Sequence, residues 1–414
     1  MKGVVAFASA ASIIAITACG DSPPPCACGA FDGEARDGDG SIADASEAVL
    51  DAAVVEPCVL SLGTLPVWTF APDRRLAIAA RHDRFVVAHA RTSTAHGRDV
   101  IEIERAFLDD IVDPPITLVP AAGATTSIDG LDIVRTASGY ALALIENVPS
   151  EAGSRLSRVR VLALDENAIA SEEAWSEPPL FETARRLDDV FIEPSDTGNL
   201  SVAWSSSSSE GVPSEAWVAS RSAGASSFDT VHVTAKRIAA LSGLGTQLQR
   251  GDDGVAVLVL GDVSRPLAFI SSDAPSAGVA QDASSGLVFF RRSTSTSAAT
   301  YGGFGVAAPP GGAALGAVFS MSPSGFDVHA MEATTFRGGF AVAYEGSDGV
   351  SHDAYAEVAF VSGSRVFGDR VRLPGRSEGL VRVTETPAGE LVVAVRHAEP
   401  SSLRTYVIGC GGQP

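Results

Sequence analysis

The chain has 414 residues, of which 45% are apolar, so it is long enough to bury a large core. Its 50 acidic residues outnumber 30 basic ones, which gives a formal net charge of −20. This balance excludes the basic surface that nucleic-acid binding needs, and it offers no electrostatic attraction to anionic lipid. We therefore expect no nucleic-acid partner and no membrane docking by charge.

Residues 1–18 predict an export signal. Lys2 supplies one positive charge, an apolar run follows, and small residues precede Cys19. Such a segment is typical of a secretory signal peptide, and its apolar run is shorter than the ~20 residues that span a bilayer. The segment Ile16-Thr17-Ala18-Cys19 resembles the lipobox of bacterial lipoproteins. That resemblance implies cleavage before Cys19 and acylation of this cysteine; the alternatives are a soluble secreted protein cut nearby and an uncleaved anchor.

A lipidated Cys19 would hold the protein at a membrane surface, because two or more acyl chains anchor stably where one does not. Gly20 follows the cysteine, at the position where inner-membrane members of this family often carry Asp. The resemblance therefore implies an exported protein of the cell envelope, anchored to the outer membrane.

Residues 19–56 predict an acidic, disordered tether. From residue 20 onward this segment has nine acidic residues against the single Arg36, and it has few large apolar side chains. Such a composition cannot bury enough surface to offset the entropy cost of ordering. Cys26 and Cys28 lie in this tether, where a local disulfide, pairing with another chain, a metal site and a redox role all remain open.

Residues 57–414 predict a single all-β domain, because one short strand pattern recurs along them. A turn precedes a strand of the form apolar-x-apolar-Ala-x, as in "ASGYALAL" at 137–144. The seven copies begin at Phe85, Tyr140, Leu200, Val255, Leu287, Phe340 and Leu391. Strands repeated at a period near ~50 residues indicate a β-propeller of four-stranded blades. A pair of β-sandwiches is the alternative.

Seven copies predict seven blades, although six or eight remain open. The second blade predicts strands at 131–136, 140–146, 158–165 and 178–183. Only 32 residues separate the copy at Val255 from the copy at Leu287. This short interval predicts a blade that lacks its outer strand.

The last blade supplies three strands, which end at 403–409, and the segment 58–63 has no partner near it in the sequence. Propellers commonly close their ring by borrowing a terminal strand, which removes two exposed edges. We therefore expect 58–63 to run antiparallel to 403–409 and to bring Cys58 beside Cys410. A disulfide between them is permitted in an exported protein, and two separate buried thiols are the alternative.

No motif for a cofactor, a metal or a catalytic group stands out. "GRSEG" at 375–379 has the pattern of a nucleophile elbow, but it lies between strands and predicts a loop. His82, His89 and His96 recur at intervals of seven, which does not place them on one face of a hairpin. The sequence therefore favours a binding or scaffolding module for a protein or glycan partner rather than an enzyme. The alternative is a hydrolase or lyase that uses carboxylates gathered in the axial funnel.

Overall fold

A computed structural model describes most of the chain beyond residue 57. The described residues are 58–61, 67–68, 76–108, 112–120, 127–150, 155–171, 178–194, 198–206, 213–229, 232–234, 237–242, 246–250, 255–260, 263–270, 277–294, 300–309, 314–348, 353–399 and 401–410. The predicted signal segment and tether, with Cys19, Cys26 and Cys28, lie outside these residues.

The described residues form β-strands joined by turns and loops, as the alternating pattern predicts. The strands in chain order are β1 (Cys58–Ser61), β2 (Val67–Trp68), β3 (Leu76–Arg81), β4 (Arg84–Ser93), β5 (Arg98–Phe107), β6 (Val112–Leu118), β7 (Ser127–Arg135), β8 (Tyr140–Pro149), β9 (Arg155–Leu164), β10 (Phe181–Thr183), β11 (Asp189–Pro194), β12 (Leu200–Ser206), β13 (Glu215–Arg221), β14 (His232–Thr234), β15 (Arg237–Ser242), β16 (Thr246–Arg250), β17 (Ala256–Leu260), β18 (Val263–Pro266), β19 (Ala277–Gln281), β20 (Gly286–Ser293), β21 (Tyr301–Ala307), β22 (Phe319–Ser320), β23 (Phe326–Phe336), β24 (Gly339–Asp348), β25 (Ala354–Ser362), β26 (Arg365–Arg372), β27 (Ser377–Glu385), β28 (Leu391–His397) and β29 (Ser402–Cys410).

These strands build seven antiparallel sheets in the described part of the chain, which confirms a seven-bladed β-propeller. Blades 1 to 6 each take four consecutive strands, from β3–β6 to β23–β26, and blade 7 takes β27–β29 with β1 and β2. The first strand of each blade contacts the first strand of the next, from β3 through β27 and back to β3. The first strands therefore form the inner wall of the ring.

Apolar side chains fill the space between neighbouring blades. Among the described residues there are seven buried apolar clusters, one for each pair of adjacent blades. The second strand of a blade is buried on both faces, as in β8, where nine of the ten residues are buried. This double burial explains why the second strands read as nearly continuous apolar runs.

The prediction for blade 4 was wrong. The copy of the pattern at Val255 belongs to β17, the third strand, and the second strand is β16. Blade 4 therefore has all four strands, and no outer strand is missing there. The sequence of β16, TQLQR, has Leu248 as its one apolar residue and lacks the apolar run by which the other second strands are recognised.

Blade 7 is completed from the N-terminal side, as the sequence predicts. Strand β1 pairs antiparallel with β29, and β2 pairs with the other half of the same strand. The register sets Cys58 directly opposite Cys410, and a disulfide joins them across 352 positions of sequence. Residues 62–63 of the predicted closing strand lie outside the described residues.

Within the described residues we find no helix that is long and apolar enough to cross a membrane.

Candidate functional site

Three charged side chains occupy the same level of the inner wall. Each lies on the first strand of its blade, directly across the hairpin from the recurring alanine of the second strand. The register pairs are Asp132 with Ala143, Glu332 with Ala343 and Arg382 with Ala394. Because the inner strands surround the ring axis, residues far apart in sequence meet there. Together with Glu193 on β11, these three residues are called the axial cluster below.

The side chains of the axial cluster connect neighbouring blades. The Asp132 carboxylate accepts a hydrogen bond from the backbone N–H of Ile192 at 2.9 Å, which links blade 2 to blade 3. The Arg382 Nε donates to the carbonyl oxygen of Leu76 at 3.0 Å, which links blade 7 to blade 1. Glu332 is bonded by the backbone N–H of Val383, which links blade 6 to blade 7. These contacts fix the direction of each side chain.

One ion pair lies within the axial cluster. Arg382 Nη1 is 3.7 Å from Glu332 Oε2, and the two side chains are 29% and 32% exposed. The Oε2 atom that faces Arg382 is itself buried, although both side chains are partly exposed. At this exposure the pair adds little to the free energy of unfolding. The pair matters because the positive charge of Arg382 acts on Glu332 and on Asp132.

Burial raises the pKa of all three acids, and the charges of neighbouring acids raise the pKa of Asp132 and Glu193 as well. Burial is the main cause that raises the pKa of Asp132 to about 7, and the charge of Glu332 acts in the same direction. Hydrogen bonds from two backbone N–H groups oppose the rise. Burial also raises the pKa of Glu332, against the lowering effect of Arg382. Burial and the charges of Asp132 and Glu332 raise the pKa of Glu193 well above its usual value. Acids that interact in this way share protons at neutral pH.

Glu193 differs from the other two acids in its surroundings. Burial and two negative charges act on it, and no hydrogen bond from the described residues lowers its pKa. The other acids each accept at least one backbone hydrogen bond. Glu193 is therefore the member of the cluster most strongly held in its neutral, proton-carrying form.

Sequence reasoning missed the axial cluster. Its members are spread over about 250 positions, and none of them belongs to a motif. A weak signal does exist, because Asp132, Glu332 and Arg382 stand eleven or twelve positions before the recurring alanine of their blades. A charged residue at that place in an apolar inner strand marks a side chain directed to the axis.

The motifs rejected from the sequence take ordinary places in the fold, with one correction. The loop predicted at 375–379 is partly strand, because Ser377 begins β27 and its hydroxyl donates to Glu345 at 3.2 Å. His82 lies in a turn, and His96 lies in an exposed loop. His89 groups instead with Glu102 and Glu104 on the neighbouring strand.

The predicted disulfide cysteines lie on the outer rim of blade 7, away from the axis. Cys58 and Cys410 pair across β1 and β29, and both belong to the apolar cluster between blades 6 and 7. Cys410 is buried there. Arg382 of the axial cluster and the disulfide are thus at opposite edges of blade 7.

No family model matches this sequence, and no curated protein is significantly similar to it. Solved propeller structures do resemble it in shape. An α-L-arabinofuranosidase of Fusarium graminearum is 8% identical, with a TM-score of 0.47 over 83% of this chain and 97% of that one. The propeller domain of the trilobed protease of Pyrococcus furiosus is 9% identical, with a TM-score of 0.47 over 85% and 94%. A polysaccharide lyase is 8% identical, with a TM-score of 0.49 over 82% and 91%. At these identities and scores the resemblance is one of fold and carries no statement about activity.

Proposed function

We propose that the propeller is an enzyme and that the axial cluster is its acid–base centre. The observation that carries the proposal is the meeting of three acids and one arginine from four blades on the inner wall of the ring. Groups whose surroundings push their pKa values toward and above neutrality are suited to proton transfer. The axial cluster therefore favours the enzyme over the binding or scaffolding module.

The proposed reaction is hydrolysis of a glycosidic bond in a glycan. Neutral Glu193 donates its proton to the leaving oxygen as the carbon–oxygen bond breaks. The Glu332 carboxylate, whose ionised form Arg382 favours, takes a proton from the water whose oxygen bonds to the same carbon. Paired carboxyl groups in these two roles are the usual equipment for this reaction. Asp132 exchanges protons with both acids at neutral pH.

The proposal is tested with the purified full chain on a panel of aryl glycosides, neutral oligosaccharides and uronate-containing polysaccharides. Glu193→Gln keeps the size of the side chain and removes the proton donor, so kcat should fall by about 10²- to 10⁴-fold. Glu399→Gln is the matched control, since the Glu399 side chain is 80% exposed. Turnover by a lyase instead of a hydrolase would appear as an unsaturated product.

Two results would contradict the proposal. One is a wild-type protein that turns over nothing in the panel but binds a glycan or protein partner, which supports the scaffolding interpretation. The other is a Glu193→Gln variant with the activity of the Glu399→Gln control.

We further propose that the enzyme works at a membrane surface of the cell envelope. The support is the sequence Ile16-Thr17-Ala18-Cys19 and the acidic segment that separates it from the first described strand. A glycan-cleaving propeller on such a tether would act on envelope or extracellular polymers.

A further inference from the structure

A compact polar group lies in blade 1 and shares no residue with the axial cluster. It consists of His89, Glu102 and Glu104. His89 lies on β4, and the two glutamates lie on β5. The register sets His89 opposite Glu102 and sets Val87 opposite Glu104, so all three polar side chains share one face of the sheet. Their ligand atoms lie within 4.8 Å of one another.

This face of blade 1 is buried against blade 7. Phe85 and Val87 lie on the same face of β4 as His89, because residues two and four apart in a strand point to one side. Both pack in one cluster with Val392 and Ala394 of β28. The side chain of His89 is 2% exposed, that of Glu104 is 10% exposed and that of Glu102 is 16% exposed. The group is therefore part of the interface at which the ring closes.

The distances within the group fit a bound cation. His89 Nε2 is 3.7 Å from Glu102 Oε2 and 3.8 Å from Glu104 Oε1. Two ligands on a tetrahedral zinc ion, each bonded at 2.0–2.2 Å, stand about 3.4 Å apart. The two His89 distances exceed that spacing by only a few tenths of an ångström, and the two carboxylates lie within 4.8 Å of each other.

The charge of the group also calls for a cation. Glu104 is 8% exposed as a residue, and its carboxylate lies beside His89 and within 4.8 Å of a second carboxylate, that of Glu102. Burying a carboxylate is costly unless a positive charge compensates it. A divalent ion between His89 and the two glutamates supplies that charge.

Arg91 holds Glu102 in the orientation that such an ion requires. Its guanidinium donates to Oε1 of Glu102, which leaves Oε2 directed at His89. Outer contacts that fix a ligand in this way are a regular feature of metal sites.

We propose that His89, Glu102 and Glu104 bind one divalent transition-metal ion of the zinc class at the interface of blades 1 and 7. The imidazole selects for this class over calcium and magnesium, and the carboxylates complete the set of ligands. The ion joins β4 to β5 within blade 1, so it stabilises the blade whose face packs against blade 7.

The experiment is a Zn²⁺ titration of the full chain by competition with a chromophoric chelator, after removal of metal with EDTA. Every protein carries Cys26→Ser and Cys28→Ser, so that these thiols add no zinc ligand. We expect one equivalent of Zn²⁺ to bind and to raise the melting temperature. His89→Gln and Glu104→Gln should each weaken binding by about 100-fold or more, and Arg91→Gln by about 10-fold.

His96→Gln is the matched control, because His96 is exposed and lies seven positions along the same hairpin. Its affinity should equal that of the parent protein. The proposal is overturned if the parent protein binds no stoichiometric Zn²⁺, or if His89→Gln and Glu104→Gln bind it as tightly as His96→Gln does.

X-ray absorption of the zinc-loaded parent protein keeps the test decisive if a variant fails to fold. One imidazole nitrogen and carboxylate oxygens at about 2.0–2.2 Å support the site. A shell with two or more imidazoles would assign the ion to other histidines and overturn the proposal.

Discussion

Reduction of the disulfide between Cys58 and Cys410 should destabilise the propeller measurably. The bond closes a loop of 352 residues. In the chain-entropy description a loop of this length stabilises the fold by about 6 kcal/mol, whereas measured values are typically about 2–4 kcal/mol. We expect the lower figure, because β1 keeps its backbone pairing with β29 when the bond is broken.

The assay is urea unfolding followed by tryptophan fluorescence, with and without dithiothreitol. Trp68 on β2 is buried and packs edge-on against Phe85 at 6.1 Å, so it reports on the ring closure. Trp204 and Trp217 stack in blade 3 and report on the rest of the ring. Reduction should lower the unfolding midpoint seen by both sets of probes.

The double variant Cys58→Ser/Cys410→Ser is the control, because it should already have the lower midpoint and should not respond to dithiothreitol. The reasoning fails if reduction leaves the wild-type midpoint unchanged. It also fails if dithiothreitol destabilises the double variant as much as the wild type, since the sensitive bond would then lie elsewhere.

Three further predictions concern single residues. The pKa of Asp132 is about 7 in the fold against 3.8 ordinarily, so its contribution to stability is present below pH 4 and is lost as the pH rises to 7. Asp132→Asn should therefore make the free energy of unfolding fall less steeply between pH 4 and 7, by up to about 1.4 kcal/mol per pH unit. If urea titrations give the variant and the wild type the same dependence on pH, the reasoning is refuted. Burial and the charge of Arg404 lower the pKa of His397 from 6.5 to about 4, so the fold loses stability as the pH falls from 6.5 to 4. His397→Gln should remove this loss, and a variant whose free energy of unfolding falls with pH as in the wild type would count against it. Cys19→Ser should abolish incorporation of radiolabelled palmitate and release the protein from membranes, and a variant that stays labelled would exclude the lipobox.

Much of the fold could be predicted from the sequence because a blade is a local unit. The second strands are buried on both faces, so they can be recognised as apolar runs in the sequence. The strands of blade 2 lie where this pattern predicts them. The prediction was wrong where local composition misleads: four of the five residues of β16 are polar, so the apolar β17 was assigned its place in the repeat. The spacing of the repeat does not show whether a copy is the second or the third strand of its blade, and at blade 4 this information was needed.

The axial cluster could not be predicted in the same way, because it exists only once the ring is closed. Glu193 and Glu332 are 139 positions apart in sequence, yet the charge of one acts on the pKa of the other. Proximity of this kind depends on the count of blades, on their common tilt and on closure by β1. None of these is encoded in the residues next to either acid.

Ring closure and the proposed acid–base centre are connected through Arg382. Its Nε donates to the carbonyl of Leu76 in blade 1, and its Nη1 faces Glu332 in blade 6. Any loosening between blades 7 and 1 therefore moves the guanidinium whose charge favours the ionised form of Glu332. The proposed metal ion lies in blade 1, on the face of the sheet that packs against blade 7 at this same boundary. Packing at the boundary of blades 7 and 1 therefore bears on the protonation of Glu332, because Arg382 bridges that boundary at the axis.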